Sequence, residues 1–215
     1  MSDAYALRDV RVVLGGRPVL DVPALRLAAG ATTALVGANG AGKSTLLRLL
    51  AFLLPPAAGA VTFAGVPVTY GAAGLTALRR RVTYVASAPY LFRGTVRHNV
   101  GYGLRVRRRH DPAAVEAALA AVDLAALADR PARTLSSGEA QRVALARALA
   151  LAPEVMLFDE PTANLDRDSV PRIEAALAAL ARRGCTVVLA THDCEQAARL
   201  ASAAVTLGDG RLLTA

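Results

Sequence analysis

Gly37-Ala38-Asn39-Gly40-Ala41-Gly42-Lys43-Ser44 stands between a short apolar run, Thr33 to Val36, and a leucine-rich run, Thr45 to Leu54. The order is strand, glycine loop, helix. The octapeptide fits G-x-x-x-x-G-K-[ST]. In that pattern glycines let successive backbone N–H groups turn inward and the helix start adds its positive dipole end. The lysine reaches along a phosphate chain, and the last hydroxyl is offered to Mg²⁺. These eight residues and Thr45 form the candidate phosphate-binding set, with Ser44 also a candidate metal ligand. Composition sharpens the reading, because Lys43 is the single lysine of the chain and the other 24 basic residues are arginine. Lysine is kept where a slim, flexible point charge must lie along a phosphate, a place that a planar guanidinium fits badly.

The 215 residues suit one domain with a sub-domain inserted, and a hydrophobic content of 54% is ample for a buried core. A formal charge of +8 is compatible with nucleic acid, anionic headgroups or an arginine-rich solvated surface. Aromatic residues make up only 4% and no RNA-binding or zinc-finger pattern accompanies the charge, so no nucleic-acid partner is expected. Cys185 and Cys194 are too far apart for a C-x-x-C motif and read as reduced thiols of a cytoplasmic protein. The N-terminus has no basic start followed by an apolar stretch, and the run from Leu49 is cut by Pro55-Pro56. Membrane association is therefore expected to come through a partner.

Along the chain, Tyr5 to Leu27 alternates short apolar stretches with Gly15-Gly16, Pro18 and Pro23, which predicts short antiparallel strands; Ala60 to Tyr70 returns to strands. Arg81 to Val85 reads as a strand of the main sheet. Residues 88–140 change character, with a basic stretch from Arg105 to His110 and an alanine-leucine helix opened by Asp111-Pro112, an N-cap and first-turn proline. Ser136 and Glu139 have the spacing of a capping box at the start of a second strong helix.

Val155-Met156-Leu157-Phe158 is a continuous apolar run, the mark of a strand buried on both faces, and it ends in Asp159-Glu160. Adjacent carboxylates at the C-terminal end of such a strand lie where open α/β sheets place ligand chemistry. A helix from Val170 to Arg183 and a strand from Thr186 to Ala190 follow, then Thr191-His192-Asp193 and another helix. The chain ends in a hairpin turning at Gly208-Asp209-Gly210. Taken alone, Asp159 or Glu160 could be a helix cap and His192 a core histidine.

The order glycine loop, Leu135-Ser136-Ser137-Gly138-Glu139, apolar strand with Asp159-Glu160, Ala163-Asn164-Leu165-Asp166 and His192 after a strand resembles the ATP-binding-cassette ATPases over essentially the whole chain. The resemblance implies an α/β fold: a P-loop NTPase core with a mostly parallel sheet, an N-terminal antiparallel β sub-domain (1–30 and 60–70) and an inserted helical sub-domain (88–140). It implies ATP and Mg²⁺ as cofactors. Asp159 and Ser44 hold the metal, Glu160 polarises the attacking water, Lys43 lies on the phosphates and His192 contacts the γ-phosphate. Ser136, Ser137 and Gly138 complete the ATP site of a second subunit, and Asp166 sits in a loop crossing that interface. The implied partners are a second copy, transmembrane permease subunits and an extracytoplasmic solute-binding protein. The implied location is the inner face of the membrane. The stretches Ala88 to Arg97 and Gly138 to Arg142 look most like importer cassettes for oxyanions of the tungstate type.

Three departures from the family pattern stand out. Ser137 and Glu139 replace the third and fifth residues of Leu-Ser-Gly-Gly-Gln, Ser87 stands where a glutamine usually follows the strand, and Leu14 occupies the position of the base-stacking aromatic, with Tyr5 the alternative aromatic in that segment. A degenerate cassette that binds ATP with little hydrolysis therefore stays open, as does a soluble cassette acting on nucleic acid. A GTPase is excluded, since its Asn-Lys-x-Asp motif needs a second lysine.

Overall fold

The computed structural model describes residues 2–163, 165, 167 and 169–214, so Asp166 lies outside the described residues. The chain divides into two compact units, one made of Met1–Tyr84, Glu154–Glu160 and Leu180–Ala215, the other of Val85–Pro153 and Pro161–Ala179.

The first unit is built on a ten-stranded sheet. Its strands are β1 (Asp3–Leu14), β2 (Arg17–Ala28), β3 (Thr32–Val36), β4 (Ala58–Phe63), β5 (Val66–Pro67), β6 (Val82–Val85), β7 (Val155–Asp159), β8 (Thr186–Thr191), β9 (Ala203–Gly208) and β10 (Arg211–Thr214). They lie in the order β5-β4-β1-β2-β10-β9-β3-β8-β7-β6. Strands β7 and β8 are buried at every residue and β3 at all but its last, as their unbroken apolar runs require. These three pair in parallel, whereas β1 pairs antiparallel with both β2 and β4.

Helix α1 (Lys43–Leu50) turns Leu46, Leu47, Leu49 and Leu50 into the core. Tyr5, Phe52 and Phe63 pack as a trio with centroid separations of 5.0–6.1 Å, and the Tyr5 hydroxyl donates to the Leu50 carbonyl at 2.9 Å.

Two sequence expectations change here. The short strands expected between Tyr5 and Leu27 are two strands of 12 residues each. Both prolines are tolerated: Pro18 sits at a register irregularity beside Val13, and Pro23 falls opposite Asp9, where β1 adopts φ 51. Arg81 is not in a strand but ends helix α2 (Ala72–Arg81), whose Leu75 and Leu78 pack against the core.

The second unit is helical, with α3 (Val96–Val100), α4 (Tyr102–Val106), α5 (Pro112–Ala121), α6 (Ser137–Leu149) and the larger part of α7 (Ser169–Arg182). Asp111 caps α5 as its sequence suggests, accepting from Ala114 N at 3.0 Å. Buried Asn99 braces the loop before α3, accepting from Phe92 N at 2.7 Å and donating to the carbonyls of Phe92 and Thr95 at 2.9 and 3.0 Å. The Arg142 guanidinium donates to the carbonyls of Val122 and Asp123 just past the end of α5, at 3.2 and 3.1 Å. Such bonds satisfy carbonyls that a helix end leaves without partners.

Candidate active site

The site follows from strand register. In the neighbouring strands β3, β8 and β7, Val36 pairs with Thr191 and Asp159 with Ala190. The three strands end at one level, so the glycine loop, the carboxylate pair and His192 emerge side by side.

The loop needs its glycines for space and for backbone shape. A Cβ on Gly37 would come to 2.4 Å from the Leu207 carbonyl oxygen, and Gly42 caps α1 with φ 99, a conformation that L side chains resist. Gly42 has no side chain to cap the first amides of α1, which leaves them available to an anion. Ala41 donates to the Ala38 carbonyl and accepts from Gly210 N, both at 3.1 Å, tying the loop to the β9–β10 turn. Asn39 and Gly40 lie exposed at the loop tip, and Thr45 is half-buried in the first turn of α1.

Lys43 is only 6% exposed, and its ammonium donates to the carbonyls of Gly37 and Ala38 at 2.7 and 3.1 Å. It also stands 3.5 Å from Glu160 Oε1, an ion-pair contact too long for a hydrogen bond.

Asp159 is buried and accepts two hydroxyl protons, from Ser44 to Oδ1 at 2.9 Å and from Tyr84 to Oδ2 at 2.8 Å. The Tyr84 hydroxyl is pushed up to about 12, first by burial and then by its bond to Asp159, with the nearby Arg48 guanidinium pulling the other way. Tyr84 was not singled out by the sequence, because a tyrosine within a strand reads first as packing.

Glu160 follows the end of β7 in the left-handed region, at φ 51. That twist lets its N–H donate to Ala190 O at 3.0 Å while its side chain turns toward His192, whose Nδ1 lies 2.8 Å from Oε2. An ionised carboxylate can only accept, so Nδ1 carries the proton. The other oxygen, Oε1, is buried and has no hydrogen-bond partner. A buried polar atom in that position is costly unless something donates to it, and a water molecule is the smallest group that can. Asp193, next along, caps α8 (Cys194–Leu200) through the amides of Glu195 and Gln196.

Ser136, Ser137 and Gly138 open α6 in the second unit, where the full capping box forms. Ser136 Oγ accepts from Glu139 N at 3.2 Å, and Glu139 Oε2 accepts from Ser136 N at 2.7 Å. Arg130 faces the same carboxylate at 3.4 Å. The Ser136 amide holds the Glu139 carboxyl below its ordinary value. Its stabilising contribution is therefore present above the ordinary carboxylate range and is lost as pH falls through the lowered value. Ser87 lies in an exposed bend of the second unit.

Leu14 is 41% exposed at the β1–β2 turn, while Tyr5 is fully buried and cannot stack on a base. Tyr5 as the alternative aromatic is thereby corrected: its ring belongs to the core trio. With no aromatic at Leu14, ATP and GTP are expected to bind with affinities within about tenfold, since one decade needs only about 1.4 kcal/mol. Calorimetric titration with both nucleotides checks this, and a preference of several hundredfold for ATP would refute it.

A glycine loop entering α1, a carboxylate pair closing a buried parallel strand and a lone buried lysine between them define a phosphate-loop nucleoside triphosphatase. The ABC transporter family profile matches residues 20–163, and the chain belongs to that family. It is 43% identical over 213 residues to Phosphate import ATP-binding protein PstB 2 of Natronomonas pharaonis, covering 93% of this chain and 75% of that protein. It is 40% identical to Nickel import ATP-binding protein NikO of Rhodobacter capsulatus, covering 100% of this chain and 89% of the relative. Among solved structures, the ATP-binding cassette MJ0796, a dimer in a post-hydrolysis state bound to ADP and Pi, matches with a TM-score of 0.89 at 29% identity, covering 98% of this chain and 97% of that one. The protein is an ABC ATPase that binds and hydrolyses ATP, built on a curled, mostly parallel α/β sheet.

Proposed function

We propose that this ATPase is the energy-coupling subunit of a membrane importer, working as a homodimer on Mg²⁺–ATP and held at the inner face of the membrane by permease subunits. Glu160 carries the reading: a carboxylate fixed at one oxygen by His192, with its other oxygen buried, unbonded and 3.5 Å from Lys43. That is the arrangement of a group kept ready to orient a water and draw off its proton. Lys43 and the loop amides hold the phosphates, and the exposed edge of His192 reaches the terminal one. Ser136, Ser137 and Gly138 of one subunit complete the site of the other, with Asp166 in the interface. The Glu139 carboxylate is engaged by its own helix and by Arg130, which relieves its repulsion of a phosphate at that helix start.

The donors fit Mg²⁺. A hydroxyl and a carboxylate, both hard oxygens, converge where Ser44 meets Asp159. Among the described residues no cluster of three or more His, Cys, Asp or Glu could hold a metal, so the other positions fall to phosphate oxygens and water, as this ion prefers. When bound, the ion neutralises charge on the β- and γ-phosphate oxygens.

Import is supported by the names of the relatives, which give phosphate and nickel as cargo; the tungstate-type resemblance finds no support in them. No helix among the described residues is long and apolar enough to cross a membrane, so a permease would supply the pathway, with a solute-binding protein delivering to it. In cells lacking the coding sequence, uptake of labelled phosphate, tungstate, molybdate and nickel is measured in turn. The expected result is loss for one solute, restored by the wild-type chain and not by Asp159→Asn. Unchanged uptake of all four would remove the importer reading.

A further inference from the structure

We propose that Tyr84 is a positioning residue for the metal-binding carboxylate: its hydroxyl fixes which oxygen of Asp159 faces the ion, and it remains in place when Ser44 turns away. The inference rests on the reading that Ser44 and Asp159 hold Mg²⁺.

Asp159 is cut off from solvent. The residue is 4% exposed, and among the described residues no Lys, Arg or His forms an ion pair with it. A buried carboxylate without a cation depends on hydrogen-bond donors, and Asp159 has one for each oxygen, Ser44 Oγ at 2.9 Å and Tyr84 OH at 2.8 Å. The two donors are not equivalent. A serine hydroxyl that serves as a metal ligand presents its oxygen to the ion and its proton elsewhere, and the same short side chain cannot hold its present geometry to Oδ1 regardless of the ion. Tyr84 comes from β6, the edge strand beside β7, and reaches Oδ2 from outside the loop. Its bond therefore does not compete with phosphate or metal.

The proton of Tyr84 is also directed. The phenol's single proton goes to Asp159 Oδ2, which as an ionised carboxylate oxygen can only accept. The result is a bond of fixed polarity, Tyr84 to Asp159, that keeps Oδ2 engaged and leaves Oδ1, once Ser44 turns to the ion, for the metal or a water on it. Hydrogen bonds to a ligating carboxylate of this kind typically govern metal affinity by about 10–100-fold.

Tyr84→Phe removes only the hydroxyl and keeps the ring in place. With ADP or a non-hydrolysable ATP analogue bound, Mn²⁺ affinity is read by electron paramagnetic resonance, and nucleotide affinity is read separately in EDTA. The variant is expected to bind Mn²⁺ about 10–100-fold more weakly while its metal-free nucleotide affinity stays within twofold of wild type. A merely structural tyrosine would move both together or neither, and either result overturns the proposal. Asp159→Asn is run alongside. If the wild-type complex holds Mn²⁺ no better than Asp159→Asn does, the metal-site reading itself fails; if Asp159→Asn loses the ion and Tyr84→Phe does not, only the role of Tyr84 fails. A thermal melt confirms the fold of each variant.

Discussion

Glu160→Gln is expected to slow ATP hydrolysis by about 10²–10⁴ while Mg²⁺–ATP still binds. Glutamine keeps the size of the side chain and the contact with His192, but an amide cannot take a proton from water. The local geometry makes the test specific, because Oε1 has no hydrogen-bond partner to rearrange and the backbone at φ 51 is unaffected by the exchange. With the γ-phosphate persisting between the loop of one subunit and the Ser136–Gly138 amides of the other, the variant should accumulate as an ATP-bound dimer. Light scattering with Mg²⁺–ATP, and with Mg²⁺–ADP as the control that should not support association, makes the measurement. Unchanged turnover would take Glu160 out of catalysis. A variant that stays monomeric with ATP would point to a failed signature loop at Ser137 and Glu139 or to a missing partner subunit, and the degenerate-cassette reading would then regain ground.

Lys43→Ala should lower ATP affinity by about 10²–10⁴, the loss of two charge-assisted bonds at about 1.5–3 kcal/mol each. The sharper variant is Lys43→Arg, which keeps the charge and is still expected to fail. The carbonyls of Gly37 and Ala38 close around the ammonium at 2.7 and 3.1 Å in a setting only 6% exposed, and a planar guanidinium is too broad for that ring. Fluorescent-nucleotide titration with a circular-dichroism melt separates lost binding from lost fold. Near-normal ATP affinity of the arginine variant would show that charge alone suffices at this position.

What could be read from the sequence was what is encoded locally. The glycine loop was legible because backbone shape there depends on residues 37–42 themselves, β7 because its four apolar residues Val155 to Phe158 form the unbroken run that a strand buried on both faces needs, and the Ser136–Glu139 box because both of its bonds span three residues. Features set by distant contacts were not legible. Helix α2 is weakly amphipathic and follows no strong cap, so its existence rests on Leu75 and Leu78 finding the core. The bond from Tyr84 to Asp159 joins residues 75 positions apart, and only the adjacency of β6 and β7 in the sheet brings them together. The burial of Tyr5 is likewise a property of its aromatic neighbours, since the same tyrosine in an exposed loop would read identically.

The left-handed turn at Glu160 has a practical consequence for anyone engineering this chain. Left-handed backbone costs an L residue about 1–2 kcal/mol, a burden that glycine does not carry. A search for thermostable variants that weighs backbone strain will therefore propose Glu160→Gly, the very substitution that removes the carboxylate together with its bond to His192 and its ion pair with Lys43. Relief of backbone strain and turnover pull in opposite directions at this one residue, so stabilising libraries should leave it fixed and look instead to the surface of the helical unit.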